Sequence, residues 1–347
     1  MLLDHLGIRR LLLVAGAVLG TAVATATTTA AAGTLAAVKA RGEVSCGVSD
    51  RVPGFATVDR VGRWSGIDVD FCRAIAAAVL GDSTKIAPKP VSRADGFRAL
   101  ATGEIDLLLS SAPWTLSGDT EFKARFVDVL VYDGQSFLVP RSHGLLSVLE
   151  LSGSTICAVS GTRSADAVAH AFGRHRMRFQ LVERQSWSEL LVAYGAGACT
   201  ALTGDVTQLA TARQTLTTPG DHVILPEFIS KEPHGPAVRM SDPDWFAVVR
   251  WVRMALIEAE ELSIDSSNVN SMASSPIEDV RRLLGTGSNL GQPLGLDPEW
   301  ARRIIGFVGN YGEIYERNFG AGSDLKLARG YNRLWSSGGL MYAAPVR

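Results

Sequence analysis

No sign of charge prevails in this sequence. Its 34 lysines and arginines meet 35 aspartates and glutamates, for a formal net charge of -1. The basic footprint that marks binders of nucleic acid or anionic membranes is missing. Cysteine is scarce, with four in the chain and no C-x-x-C pair. That spacing argues against a zinc site, and no metal or cofactor is expected. Beyond the N-terminal segment no apolar run reaches the ~20 residues that span a bilayer. The motifs G-x-S-x-G, H-E-x-x-H and a post-strand G-x-G-x-x-G are absent too, which removes the commonest hydrolase, metalloprotease and dinucleotide signatures. There is no clear internal repeat.

What is present begins with a targeting segment. Arg9 and Arg10 precede the apolar run Leu11 to Leu19, and Ala-x-Ala sites end at Ala24, Ala26 and Ala32. This is the layout of a secretory signal, assigned to residues 1–32 with several cut points open. The other reading is a retained anchor, for which the run is short. No cysteine follows the run, which argues against a lipoprotein. All four cysteines lie beyond it: Cys46, Cys72, Cys157 and Cys199. An exported chain sits where disulfides persist, and four cysteines allow three pairings. Cys46 falls on a first strand and Cys72 on the next helix, while Cys157 and Cys199 fall in a later unit. The pairs Cys46–Cys72 and Cys157–Cys199 are expected, one in each unit.

With 46% hydrophobic residues in 347, the chain can build a sizeable core and more than one domain. Val44 to Val48 reads as a strand and Ser49 to Arg63 as a loop. A helix follows from Gly66 to Gly81, then a strand from Ile86 to Val91. Ser92 and Asp95 look like a capping box for the next helix. The apolar stretch Ile105 to Leu109 is a buried strand, and Ser110 to Asp119 a loop at its carboxyl end. The strand–helix alternation restarts near Thr155 and runs to Val223–Leu225. Two such α/β units predict two lobes with a cleft between them. In open α/β sheets, ligands bind outside the carboxyl ends of the strands, so the Ser110–Asp119 loop is the first candidate site. Further helices are expected at Trp245–Glu261, Pro276–Leu284 and Asp297–Tyr315.

Several segments carry a family likeness. They are Trp64 to Ile75 (WSGIDVDFCRAI), Gly103-Glu104-Ile105-Asp106, Trp114-Thr115-Leu116-Ser117, Ile229 to Arg239 (ISKEPHGPAVR), Val308 to Ile314 (VGNYGEI) and the tail from Leu327 to Arg347. On these the chain resembles the periplasmic substrate-binding proteins of polar amino acid ABC importers, most of all the general L-amino-acid-binding ones. The resemblance implies an α/β fold of the two-lobed periplasmic binding protein type (type II), with a central cleft and a helical C-terminal extension. It implies a discontinuous first lobe, residues 33–136 and 237–347, and a second lobe, residues 137–236. The two would close by a hinge on a small ligand. It also implies a periplasmic monomer that works with an inner-membrane permease and its ATPase.

A zwitterionic amino acid needs a cation and N–H donors for its carboxylate and an anion for its ammonium. In the family a hydroxyl residue and, five positions on, an arginine hold the carboxylate. Here Pro113 and Gly118 stand at those positions. A charge-assisted contact is worth roughly 1.5–3 kcal/mol, or about tenfold and upward in affinity, so the ligand itself is open to change. Gly118→Arg would test that anchor. Thr115 keeps a hydroxyl in the loop. Gly161 and Thr162 open a helix whose N-terminus favours a carboxylate. Asp205 matches the family's ammonium partner and also suits the cap of the helix after it. Arg163 is either a substitute cation or a surface residue. Ser49, Phe55, Trp64 and Trp114 are candidate contacts; the three aromatics read equally as core. A few proteins of this fold are enzymes, such as cyclohexadienyl dehydratases. Asp205, Glu232 and His234 are the only acid–base candidates for that alternative, so a binding protein, transporting or sensing, is preferred.

Overall fold

The structure is a computed structural model that describes residues 33–109 and 113–347. The expected signal segment, and Ser110, Ser111 and Ala112 of the candidate loop, lie outside the described residues. Among the described residues no helix is long and apolar enough to cross a membrane.

Two five-stranded sheets form the frame. The first runs in the order Ile86–Pro90, Val44–Val48, Leu107–Leu108, Ala237–Arg239, Ala124–Phe126. Its first three strands are parallel, and Ala237–Arg239 is antiparallel to both neighbours. The second runs Phe179–Arg184, Ser154–Val159, Ala201–Asp205, Gln135–Pro140, His222–Ile224. Between the two in sequence lies a two-stranded antiparallel ribbon, Val131–Asp133 against Glu232–His234. The chain leaves the first sheet, passes along one ribbon strand to the second sheet at Gln135, and returns along the other to Ala237. Gln135 and Ser136 thus already belong to the second sheet.

The local reasons are visible in the sequence. The Ile67–Leu80 helix is buried along most of its length because it lies between the first sheet and the C-terminal helices, so apolar residues populate nearly every face. Cys46–Cys72 bonds that helix to the strand beneath it, and Cys157–Cys199 bonds neighbouring segments of the second unit. Ser92 caps the Arg93–Thr102 helix by accepting from the Asp95 N–H at 3.2 Å. Asp95 returns its carboxylate to the Ser92 hydroxyl at 2.6 Å rather than to a backbone N–H, so the box is half made.

Several expected elements differ. Ser49–Arg63 is no plain loop; it and Trp64–Ser65 fold into a three-stranded meander, Arg51–Val52, Ala56–Val58 and Trp64–Ser65. The strand within Ile105–Leu109 is confined to Leu107–Leu108. Asp297–Tyr315 is not one helix but two, Trp300–Val308 and Tyr311–Asn318. Gly309 breaks it at a φ of 91°, and Asn310 with Glu313 forms a capping box that starts the second piece.

The C-terminal extension is bound into the first unit. Arg317 donates to the Asp70 carboxylate through Nε (3.1 Å) and Nη2 (2.9 Å), and Asn318 donates to it at 2.8 Å. Arg253, almost fully buried, donates to the Val129 carbonyl at 2.7 Å and pairs with Asp128 at 3.1 Å. Near the very end, Val346 donates its N–H to Glu258 at 2.9 Å.

Candidate functional site

Asp205 is the last residue of its strand and the residue just before the Val206–Thr215 helix. It holds the cap position, yet its side chain makes no capping hydrogen bond. The cap reading therefore accounts for where Asp205 sits but not for what its carboxylate does. That carboxylate faces two adjoining cavities of about 470 and 380 Å³, both of which it lines together with His234. Burial raises its pKa above the ordinary carboxylate value, and the nearby Arg163 charge pulls the other way.

The larger cavity is lined mainly by polar residues. Thr162, Arg163 and Ser164 bring the start of the Arg163–Arg174 helix to it, and Glu232 and His234 bring the ribbon. Thr162 turns its hydroxyl back to the Val159 carbonyl at 2.7 Å and makes no cap bond to the helix. Gln135 fixes this helix start. Its buried side chain donates to the Ser164 carbonyl and to the Thr203 hydroxyl, both at 2.8 Å. Pro113, at the expected hydroxyl position, also lines this cavity and bridges to His234.

Aromatic rings wall the smaller cavity. Phe55 stands edge-on to His234 (4.9 Å between centroids) and to Phe319 (5.2 Å). Trp187 comes from the second unit and reaches the site because residue 204 is glycine; a Cβ there would lie 2.8 Å from the indole. Arg51 lies at the edge, and Asp133 at the floor. Asp133 is 4% exposed and accepts from the Gly134 N–H (2.8 Å) and the Thr207 hydroxyl (2.5 Å). Burial pushes its pKa up to about 7, and the Asp205 charge adds to the rise against those two hydrogen bonds.

Of the residues singled out in the sequence, Asp205, Thr162 and Arg163 meet at the larger cavity and Phe55 at the smaller one. Five others, Thr115, Trp114, Ser49, Gly161 and Trp64, line neither. Thr115 caps a short helix, Leu116–Glu121, that replaces the second half of the expected loop, and its hydroxyl accepts from the Gly118 N–H at 3.2 Å. Trp114 is 38% exposed, stacks on Phe126 and donates to Asp119 at 2.9 Å. Ser49 is half-buried past its strand, and Gly161 only makes the turn, at a φ of 67°, that delivers Thr162. Trp64 sits on the meander and packs against the core rather than lining a cavity. Gly118 is buried beneath Phe126, not directed into a cavity, and a Cβ on it would lie 2.8 Å from that ring.

Asp133, Gln135 and Trp187 escaped the sequence reading. The only written signal was Gly204 before Asp205, a residue too small to belong to an ordinary apolar strand.

Two sheets joined by two crossings, with a polar cavity at the crossings, define the two-lobed fold of periplasmic binding proteins. The model of the bacterial extracellular solute-binding proteins, family 3, matches residues 44–263, and the chain belongs to that family. It is 47% identical to the general L-amino acid-binding periplasmic protein AapJ of Rhizobium johnstonii over 334 residues, 95% of this chain and 98% of that one. It is 45% identical to the glutamate/glutamine/aspartate/asparagine-binding protein BztA of Rhodobacter capsulatus, covering 92% of this chain and 94% of that one. Among solved structures it is similar to a periplasmic binding protein from Brucella ovis with glutathione bound. That likeness has a TM-score of 0.77 and 45% identity, over 91% of this chain and 100% of the other.

Proposed function

We propose that the protein is the solute-binding subunit of an ABC importer for amino acids or related small zwitterions. That class includes the glutathione bound to the Brucella ovis relative. The observation that carries the reading is the Asp205 carboxylate, which caps nothing and faces the cavities with Arg163 nearby. In this reading Asp205 holds the ligand's ammonium. Arg163 and the helix start at Thr162 take its carboxylate, in place of the arginine missing at position 118. The Val131–Asp133 and Glu232–His234 ribbon is the hinge, with residues 33–130 and 237–347 on one side and 135–231, which include Gln135 and Ser136 of the second sheet, on the other. The protein acts in the periplasm as a monomer after loss of residues 1–32, and passes ligand to a membrane permease driven by its ATPase. It binds without converting the ligand.

Calorimetry with the 20 L-amino acids and short peptides tests the reading. Asp205→Asn should weaken every zwitterion by about tenfold or more, the loss of one charge-assisted contact, while the unfolding temperature does not fall below that of the wild type. Unchanged affinity in the variant would remove Asp205 from the site. Mass spectrometry of a stabilising ligand after incubation should return it intact; turnover would revive the dehydratase-like alternative.

A further inference from the structure

The two cavities meet at Asp205, and each carries its own arginine. Arg163 lines the larger and Arg51 the smaller. Arg163 is close enough to lower the Asp205 pKa, yet forms no ion pair among the described residues. Arg51 has only a loose contact with Asp50, at 3.7 Å, and its side chain is 89% exposed. Both cations therefore keep their charge available. A free monocarboxylic amino acid, held by its ammonium at Asp205, has a carboxylate for just one of them. At about 470 and 380 Å³, each cavity alone falls within the ~300–1,000 Å³ of ordinary small-molecule sites, so a free amino acid would fill one and leave the other to water.

The passage toward Arg51 is built for an uncharged polar stem. Phe55 from the first unit and Trp187 from the second supply flat apolar walls. Gln208 and Thr211 also line it, and the Gln208 side chain forms no hydrogen bond among the described residues. Thr211 donates its hydroxyl to the Thr207 carbonyl at 3.0 Å, which leaves its oxygen to accept. A side-chain amide and a hydroxyl oxygen between two rings match a peptide-type amide, which offers one acceptor and one donor.

We infer that the preferred ligand is an extended zwitterion with one ammonium and two carboxylates, spanning both cavities. Its ammonium sits at Asp205 and its α-carboxylate at Arg163 and Thr162. An amide-containing side chain passes between Phe55 and Trp187 to a second carboxylate at Arg51. A γ-glutamyl dipeptide is a compact member of this class. The inference rests on the ammonium placement proposed above and adds the second subsite.

Calorimetry with γ-glutamylglycine, its C-terminal amide, L-glutamine and L-glutamate tests it. The dipeptide should bind about tenfold or more tightly than its amide and than both free amino acids, the worth of one charge-assisted contact. In Arg51→Ala the preference for the dipeptide over its amide should collapse to about one. Arg51 is exposed on the meander, so this variant should fold; Trp187→Phe, which keeps a ring, should retain the preference, and Trp187→Ala should reduce it. Equal affinity for the dipeptide and its amide in the wild type, or a preference that survives Arg51→Ala, overturns the second subsite. If the free amino acids still bind and depend on Asp205, only the second subsite falls. If no zwitterion binds at all, the ammonium placement falls with it.

Discussion

Asn332 closes its side-chain amide on both backbone polar groups of Tyr132, 200 residues earlier. Its Oδ1 accepts from the Tyr132 N–H at 2.8 Å, and its Nδ2 donates to the Tyr132 carbonyl at 2.9 Å. Tyr132 lies on the crossing ribbon, one residue before Asp133. The C-terminal tail thereby supplies, from one side chain, the two bonds that a further strand would give that residue. Nearby, the Tyr311 hydroxyl donates to the Leu130 carbonyl at 2.9 Å.

Asn332→Ala should consequently destabilise the protein by roughly 2–4 kcal/mol, because two buried backbone groups lose their partners together. Asn332→Asp keeps the acceptor but sets a buried carboxylate against the Tyr132 carbonyl, so at pH 8 its cost should be at least as large. Urea denaturation of the three proteins measures the order. If Asn332→Ala unfolds at the wild-type urea concentration, the tail does not hold the ribbon.

Asp133 predicts a pH dependence of stability. Its carboxyl titrates near 7 in the folded protein against an ordinary 3.8. Between those values the folded state keeps a proton that the unfolded chain has released. Stability from this group is therefore greatest at low pH and falls as pH rises from about 4 to about 7, at up to roughly 1.4 kcal/mol per pH unit. Asp205, raised by burial as well, acts in the same direction. Asp133→Asn should flatten that slope, so the variant gains on the wild type at pH 8 relative to pH 5. Unfolding temperatures at the two pH values decide it; parallel curves would mean that Asp133 does not hold the proton.

Gly118 leads to an unfavourable result for the obvious repair. Restoring an arginine at the family's anchor position should not raise affinity, because the position lies under the Phe126 ring, which itself packs near Phe97 and Trp114. Overpacking of this kind costs about 1–3 kcal/mol. Gly118→Ala should lower the unfolding temperature, and Gly118→Arg should lower it further without tighter ligand binding. Calorimetry showing a gain in affinity for Gly118→Arg would mean that Phe126 can give way and that an arginine at this position can reach the ligand.

Much of this fold is written in local pattern. The strand Val44–Val48 was legible because Val44, Cys46 and Val48 alternate with the small Ser45 and Gly47, and the Ile67–Leu80 helix because Gly66 and Gly81 punctuate it. The disulfides followed from placing each cysteine on a neighbouring element of one unit. The meander at Arg51–Ser65 was missed because strands of two or three residues are too short for a period to show. The break at Gly309-Asn310 was missed because apolar spacing continues across it on both sides.

The site divides in the same way. Asp205 was a candidate because it matches the family's ammonium partner at a strand end, and Thr162 and Arg163 because a turn precedes a helix start; the structure puts all three on the larger cavity. Sequence alone thus settled the two α/β units, the cysteine pairs and the strand-end position of the acid. Only the folded chain decided that Thr115 and Trp114 turn to capping and stacking, that Asp133 and Trp187 join Asp205, and that a residue at 332 holds one at 132. Those outcomes depend on which side chains meet across long stretches of chain, where burial and close packing, rather than local propensity, choose the neighbours.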